Sequence, residues 1–312
     1  MTNDTRRAFL ATAALVPLSP SADAQSPPLP QLTSEEKQRI DDALPKAAHV
    51  KAAKPRRLLV STLCMRDGRV VRGHSSIPYG SYALEQMGKR LGVYDAVFDN
   101  SIETFRPANI KQFDAICFNN TLGVLFDDPA LKDSLLGWVA NGGGFAGIHA
   151  ALATFVQHPR YDQWPQFGQM LGGTENGGHA WKPTEKVWLK VDDPSSPLVR
   201  MFKGRAFEVA EEIYQLQETS LRDRLHVLLS VDTEKSDMSP PRRFLKVRAA
   251  DKDFPVSWVK PHGRGRVFYT SLGHSADIFW NAKLLDHILA GVQYALGDLR
   301  ADNTPSPGVG TR

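Results

Sequence analysis

A doubly wound α/β domain, with a mostly parallel sheet flanked by helices and a strand-rich second half, is the fold class this sequence predicts. Three observations predict it. Short apolar runs without polar alternation read as strands buried on both faces. Amphipathic helical segments stand between them. Their order, strand, helix, strand, strand, helix, strand, marks a right-handed parallel sheet with helices on both sides. The 312 residues, 42% hydrophobic and 23% charged, suffice for one sizeable core.

The fold is expected to begin well inside the chain. Thr5-Arg6-Arg7-Ala8-Phe9-Leu10 sets paired arginines before a short apolar run, and Ala22-Asp23-Ala24 supplies the small residues of a cleavage site. Residues 1–24 therefore read as a twin-arginine signal peptide, which implies a periplasmic mature protein. Its apolar run of about ten residues is half the roughly twenty that a spanning helix needs, so no stable membrane insertion is expected after cleavage. Residues 25–56 read as a linker with one short helix, capped by Thr33-Ser34-Glu35-Glu36, running to about Ala47 as a surface appendage.

Residues 57–298 make the domain. Leu58 to Leu63 is the first strand, Tyr79 to Leu91 a helix, Val93 to Phe98 the second strand and Asp114 to Asn119 the third. Leu131 to Val139 is helical, Asn141-Gly142-Gly143-Gly144 ends that helix, and Phe145 to Ile148 is the fourth strand, stopping at His149. Further strands are expected at Lys186–Val191, Val227–Val231, Phe244–Val247, Val256–Val259 and Val267–Ser271. A last helix carries Leu284, Leu285, Ile288, Leu289, Val292 and Leu296 on one face. Residues 299–312 are polar and read as a disordered tail. Cys64 and Cys117, the only cysteines, could pair if their strands are neighbours; buried free thiols are the reading preferred here, because a disulfide needs Cα atoms within roughly 7 Å.

Ligands on such sheets sit outside the carboxyl ends of the strands, and the polar residues there carry the candidate chemistry. They are His74, His149, His179, Glu212 and His274. Three of these histidines follow glycine, where the backbone can turn sharply and present a side chain to a cleft. His49, His158, His226, His262 and His287 lack that setting and read as structural or surface residues. Trp164, Trp181, Tyr214, Phe155 and Trp280 are aromatic surfaces on which a sugar ring could stack, or core residues. A formal charge of +4, with 38 basic residues scattered among 34 acidic ones, argues against a nucleic-acid partner, because phosphate binding wants a concentrated basic face.

From about Arg57 to Asp298 the chain resembles the ThuA-like family, named for trehalose utilisation. The likeness rests on His74-Ser75-Ser76-Ile77-Pro78, Phe118-Asn119-Asn120-Thr121, Gly143 to Ala151, Trp164-Pro165, Gly172-Gly173, Glu212-Ile213-Tyr214 and Gly265 to His274. The resemblance implies a flavodoxin-like sheet of the class I glutamine amidotransferase type and a small-molecule sugar as partner. Amidotransferases place a nucleophilic cysteine at the turn after the equivalent strand; this chain has His149 there, so glutaminase activity is not expected. Two departures stand out: Leu152-Ala153 replaces the Thr-Asp usual in relatives, and Gly73 replaces an arginine usual before the first-loop histidine. Lys182 and Pro183 likewise replace polar residues expected after Trp181.

Two functions follow as expectations. The first is an enzyme of carbohydrate catabolism, a lyase, hydrolase or isomerase, acting on trehalose, a glycoside or a keto-glycoside. His149, His74 and Glu212 would be its catalytic residues, with His179, Trp181, Tyr214, His274, Asn120 and Trp164 binding substrate. His149, His179 and His274 are candidate ligands for a divalent metal, zinc or similar, because imidazole and carboxylate suit such ions. The second is a non-catalytic sugar-binding or accessory protein, favoured by the missing carboxylate at Ala153.

Overall fold

A computed structural model describes residues 29–156, 164–218, 221–239 and 253–306. The twin-arginine segment and the strand expected at 244–247 lie outside them.

Helix α1 (Ser34–Ala43) begins with the expected capping box, in which the Thr33 hydroxyl accepts from the Glu36 N–H and the Glu36 carboxylate accepts from the Thr33 N–H. It stops short of Ala47 because Leu44 precedes Pro45, and a residue before proline is pushed to the extended conformation seen there. The helix is not a surface appendage: Ile40, Ala43 and Leu44 are buried in the main core.

Strand β1 (Arg57–Ser61) leads into a hairpin the sequence did not announce, β2 (Met65–Arg66) and β3 (Arg69–Val70), closed by Asp67-Gly68. Helix α2 (Ile77–Leu91) starts two residues earlier than expected, since Pro78 suits a first helical turn. Strand β4 (Asp95–Phe98), the short helix α3 (Pro107–Ile110), β5 (Ala115–Asn119), α4 (Pro129–Ala140) and β6 (Gly144–Ile148) follow. Next come α5 (Pro165–Leu171), β7 (Glu175–Trp181), β8 (Lys186–Val191), β9 (Phe207–Ala210), β10 (Ile213–Leu216), β11 (His226–Val231), β12 (Pro255–His262), β13 (Gly265–Thr270) and α6 (Ala282–Leu296).

Nine strands form one sheet in the order β4-β1-β5-β6-β13-β12-β11-β8-β9. The first five are mutually parallel and the last four extend the sheet antiparallel. Among the parallel strands the chain order is second, first, third, fourth, last, the flavodoxin-like arrangement with its switch point between β1 and β5. Both faces are covered, as the uninterrupted apolar runs require. Leu58, Val60, Cys117, Ala146 and Phe268 pack with α2 and α6, whereas Leu59, Ile116, Phe118, Phe145 and Tyr269 pack with α4 and α5. Strands β7 and β10 pair separately as an antiparallel ribbon.

Both cysteines are buried free thiols. Cys117 stands opposite Val60, four residues short of Cys64, so neighbouring strands still leave the sulfurs at different levels. Burial pushes each thiol up to about 12, which makes them unreactive.

The start of the expected disordered tail is in fact bound. Asp298, 1% exposed in its side chain, pairs with Arg56 at 2.6 Å, Leu299 is buried, the Thr304 carbonyl accepts from His226 Nδ1 at 2.8 Å, and the Ser306 N–H donates to Leu225. Residues 307–312 lie outside the described residues. Among those described, no helix is long and apolar enough to cross a membrane.

Candidate active site

The carboxyl ends of the parallel strands deliver three of the five candidate residues. The segment after β1 carries His74, the residue that directly follows β6 is His149, and the loop after β13 carries His274. His149 takes a left-handed conformation, φ +47°, uncommon for a residue with a Cβ and a mark of a strained, functional turn. Its ring is fully buried and its Nδ1 lies 2.8 Å from the Ser271 carbonyl. A carbonyl only accepts, so Nδ1 carries a hydrogen, and Nε2 is turned toward the other candidates. The His149 carbonyl in turn accepts from Tyr269 Oη at 2.8 Å.

The β7–β10 ribbon delivers the rest. Glu212 Oε2 stands 2.7 Å from His274 Nδ1, 3.4 Å from His149 Nε2 and 3.5 Å from His179 Nε2. The His74 ring lies edge-on at 5.0 Å from the rings of both His149 and His274. Tyr214 packs its ring 4.9 Å from His149 and 4.3 Å from His179. Five imidazole and carboxylate groups expected to share a site thus meet at one place.

One atom each from His74, His149, Glu212 and His274 lie within 4.8 Å of one another, a set able to hold a metal ion. The ligand set expected from sequence was His149, His179 and His274; His179 stands beside this group, its Nε2 3.5 Å from Glu212 Oε2 and its ring 6.1 Å from that of His149, against 5.0 and 5.1 Å for His74 and His274.

Burial disfavours charge on two of the imidazoles, His74 and His179. Burial, reinforced by His149 and His274, lowers His74 to about 3, and burial lowers His179 to about 4 against the pull of Glu212. Each has a buried Nδ1 with no hydrogen-bond partner among the described residues. Burial alone would raise Glu212, but hydrogen bonds with His149 and His274 prevail and hold it well below the usual carboxylate range. Burial would depress His274, and its bond to Glu212 reverses that.

Three expected ligand-binding residues do not face this site as expected. Trp181 is fully buried, donates its indole N–H to the Asp237 carbonyl at 2.9 Å and packs on Phe254. The ribbon register shifts between the Ile213–Trp181 and Tyr214–His179 pairs, so the alternation that would put Trp181 beside His179 is broken. Trp164 is wedged between Phe155 and Phe167 in the core. Asn120, fully buried at φ +59°, donates its amide to the Gly273 carbonyl at 3.3 Å and so braces the His274 loop. Phe155 is core, and Trp280 stacks under Arg39 and against Tyr79. His49, His226 and His287 pair with Asp286, Asp193 and Ser257, while His158 lies outside the described residues.

Two acidic residues were missed. Glu211, fully buried, accepts from its neighbour's N–H at 2.8 Å and from the Ser275 and Gly273 N–H groups at 3.2 and 3.4 Å, tying Glu212 to the loop that carries His274. Glu175 lines a cavity of about 360 Å³ together with His74, His179, Tyr214 and the β2–β3 hairpin. The sequence signal for Glu211 was the acidic doublet itself; Glu175 was hidden by the Gly177-Gly178 pair that made its strand look like a loop. A larger hollow of about 670 Å³, walled by Lys51, Lys54, Arg56 and Lys89, lies by the amino ends of β1 and β4, away from the switch point where such sheets bind ligands.

Solved structures with the same fold include a ThuA-like protein from Bacteroides uniformis, 19% identical, covering 80% of this chain and 93% of that one with a TM-score of 0.59. A ThuA-like protein from Parabacteroides merdae is 17% identical over 83% and 96%, with a TM-score of 0.53. A cytoplasmic protein from Salmonella typhimurium is 13% identical over 77% and 98%, at 0.50. The shared architecture is the class I glutamine amidotransferase-like fold. No curated protein matches the chain. The family model for ThuA, described as trehalose utilisation, matches residues 65–295, and on that extent of match this chain belongs to the ThuA family.

Proposed function

We propose that this protein is an exported enzyme of carbohydrate breakdown, acting on trehalose, another glycoside or a keto-glycoside at a divalent-metal centre held by His74, His149, Glu212 and His274. The observation that carries the reading is the convergence of four ligand atoms from four separate segments. Around a tetrahedral ion with bonds of roughly 2.0–2.1 Å, ligand atoms stand about 3.3–3.4 Å apart; His149 Nε2 is 3.3 Å from His274 Nδ1 and 3.4 Å from Glu212 Oε2, whereas Glu212 Oε2 and His274 Nδ1, at 2.7 Å, would have to part to admit such an ion. The Ser271 carbonyl on His149 Nδ1 is the outer partner that metal-ligating histidines characteristically have. His74 Nδ1, buried and without a partner among the described residues, is an atom an ion would satisfy.

Bound there, such an ion supplies Lewis acidity to a substrate oxygen. The chain's own residues do the rest: His179 and Tyr214 line the cavity and offer hydrogen bonds to sugar hydroxyls, while Glu211 and Asn120 fix the loop bearing His274. The family's description, trehalose utilisation, supports a sugar as ligand. Ala153 lines the cavity where relatives commonly carry aspartate, and this favours a second reading, a sugar-binding accessory protein.

Elemental analysis of the purified mature protein separates these. The enzyme reading expects about one equivalent of zinc or a similar ion, with chelation removing both the ion and turnover in a screen of glucosides and their keto forms. Activity that persists without metal would sink the metal centre, and bound metal with sugar affinity but no turnover would select the accessory role. For export, the double substitution Arg6→Lys, Arg7→Lys should leave uncleaved precursor in the cytoplasm; unchanged periplasmic yield would remove the twin-arginine route.

A further inference from the structure

Glu175 is a carboxyl group without a structural task. It is 5% exposed, yet it lines the same cavity as His74, His179 and Tyr214, and no described residue forms a hydrogen bond or ion pair with its carboxyl group. Its backbone, by contrast, is held firmly: Glu175 pairs with Leu216 across the ribbon, and its carbonyl accepts from Gln217 Nε2 at 2.9 Å. A carboxyl group that a rigid strand presents to a cavity suits proton transfer.

We propose that Glu175 is the general acid of this cavity, protonating the departing oxygen of a glycosidic substrate. The inference rests on the preceding reading that the cavity takes a glycoside. As the carbon–oxygen bond breaks, its electron pair stays on the departing oxygen, which takes the Glu175 proton and leaves as a hydroxyl. A water molecule then adds its oxygen to the sugar carbon and returns one proton to the carboxylate, so the cycle consumes one water and restores the acid. The titratable and charged groups that share the cavity wall are Arg66, Asp67, His74, His179 and Tyr214. Burial, with the nearby Glu212 carboxylate, raises Glu175 to about 7, in the range where an acid is both protonated and able to give its proton away.

Leaving-group dependence tests this in the metal-loaded protein. Glu175→Gln should lower kcat on alkyl glycosides by about 10²- to 10⁴-fold, with KM within a few-fold and metal content unchanged. On nitrophenyl glycosides or glycosyl fluorides, whose leaving groups depart without a proton, the same variant should stay within about ten-fold of the parent, since the acid's contribution is no longer required. Glu175→Asp, which keeps the carboxyl one methylene shorter, should recover part of the lost rate on alkyl glycosides. Equal losses on both substrate classes, or no loss on either, overturn the assignment while a metal-dependent parent enzyme leaves the broader reading standing. A parent protein that turns over no glycoside of either class overturns both.

Discussion

Replacing His149 by asparagine should strip the site of its metal and its turnover while the domain stays folded. Position 149 sits at φ +47°, a conformation that asparagine tolerates better than most residues, so the substitution adds no backbone strain. Its amide is too short to reproduce both the Nδ1 bond to Ser271 and an Nε2 atom 3.3–3.4 Å from His274 and Glu212. Losing an outer partner of a ligating histidine costs roughly 10- to 100-fold in metal affinity or activity, and loss of the ligand itself should exceed about 100-fold in both. Chelator competition measures the affinity, and near-ultraviolet circular dichroism shows whether tertiary packing survives. Metal retained within ten-fold of the parent, with turnover intact, would remove His149 from the centre of the site.

The location of the candidate site was legible because it follows from the sheet. Continuous apolar runs at Leu58, Ile116 and Phe145 give strands buried on both faces, and a parallel sheet commits its chemistry to their carboxyl ends; His74, His149 and His274 stand just there. Which of the candidates stand closest together was not legible. Whether His74 or His179 stands nearer His149 depends on how the β7–β10 ribbon lies across the sheet, and that ribbon is a tertiary feature whose glycines and bulges blur the period-2 signal. The same bulge turned Trp181 from an expected sugar platform into core. Aromatic residues are ambiguous by nature, since the surface that stacks on a sugar also packs in hydrocarbon. The anchoring of residues 298–306 was invisible for another reason: it depends on Arg56, His226 and Leu225, contacts that polar composition alone does not report.

Gly273→Ala should damage the site as severely as the loss of a ligand's support, and by a different route. Gly273 adopts φ +145°, and a Cβ there would lie 2.6 Å from Ile148 Cγ2 and 3.4 Å from His149 Cβ. Backbone strain of this kind costs about 1–3 kcal/mol, and forced overpacking typically adds about 1–3 kcal/mol. Relief requires the loop to move. Its carbonyl accepts from Ser76 Oγ at 2.7 Å and from Asn120 Nδ2, and its N–H donates to Glu211, so movement breaks the bonds that hold His274 against Glu212. Metal affinity should fall about 10- to 100-fold, the usual effect of losing second-layer support, together with several degrees of melting temperature. Gly92→Ala is the control: Gly92 also has positive φ, +64°, but a Cβ there meets nothing within 4 Å, at the end of α2 and away from the histidines. It should lower stability by about 1 kcal/mol and leave metal affinity unchanged. If both variants lose stability and both keep the parent's metal affinity, the Gly273 loop does not set the position of His274, and the chain of contacts from Glu211 through the loop to the metal ligands is broken at that point.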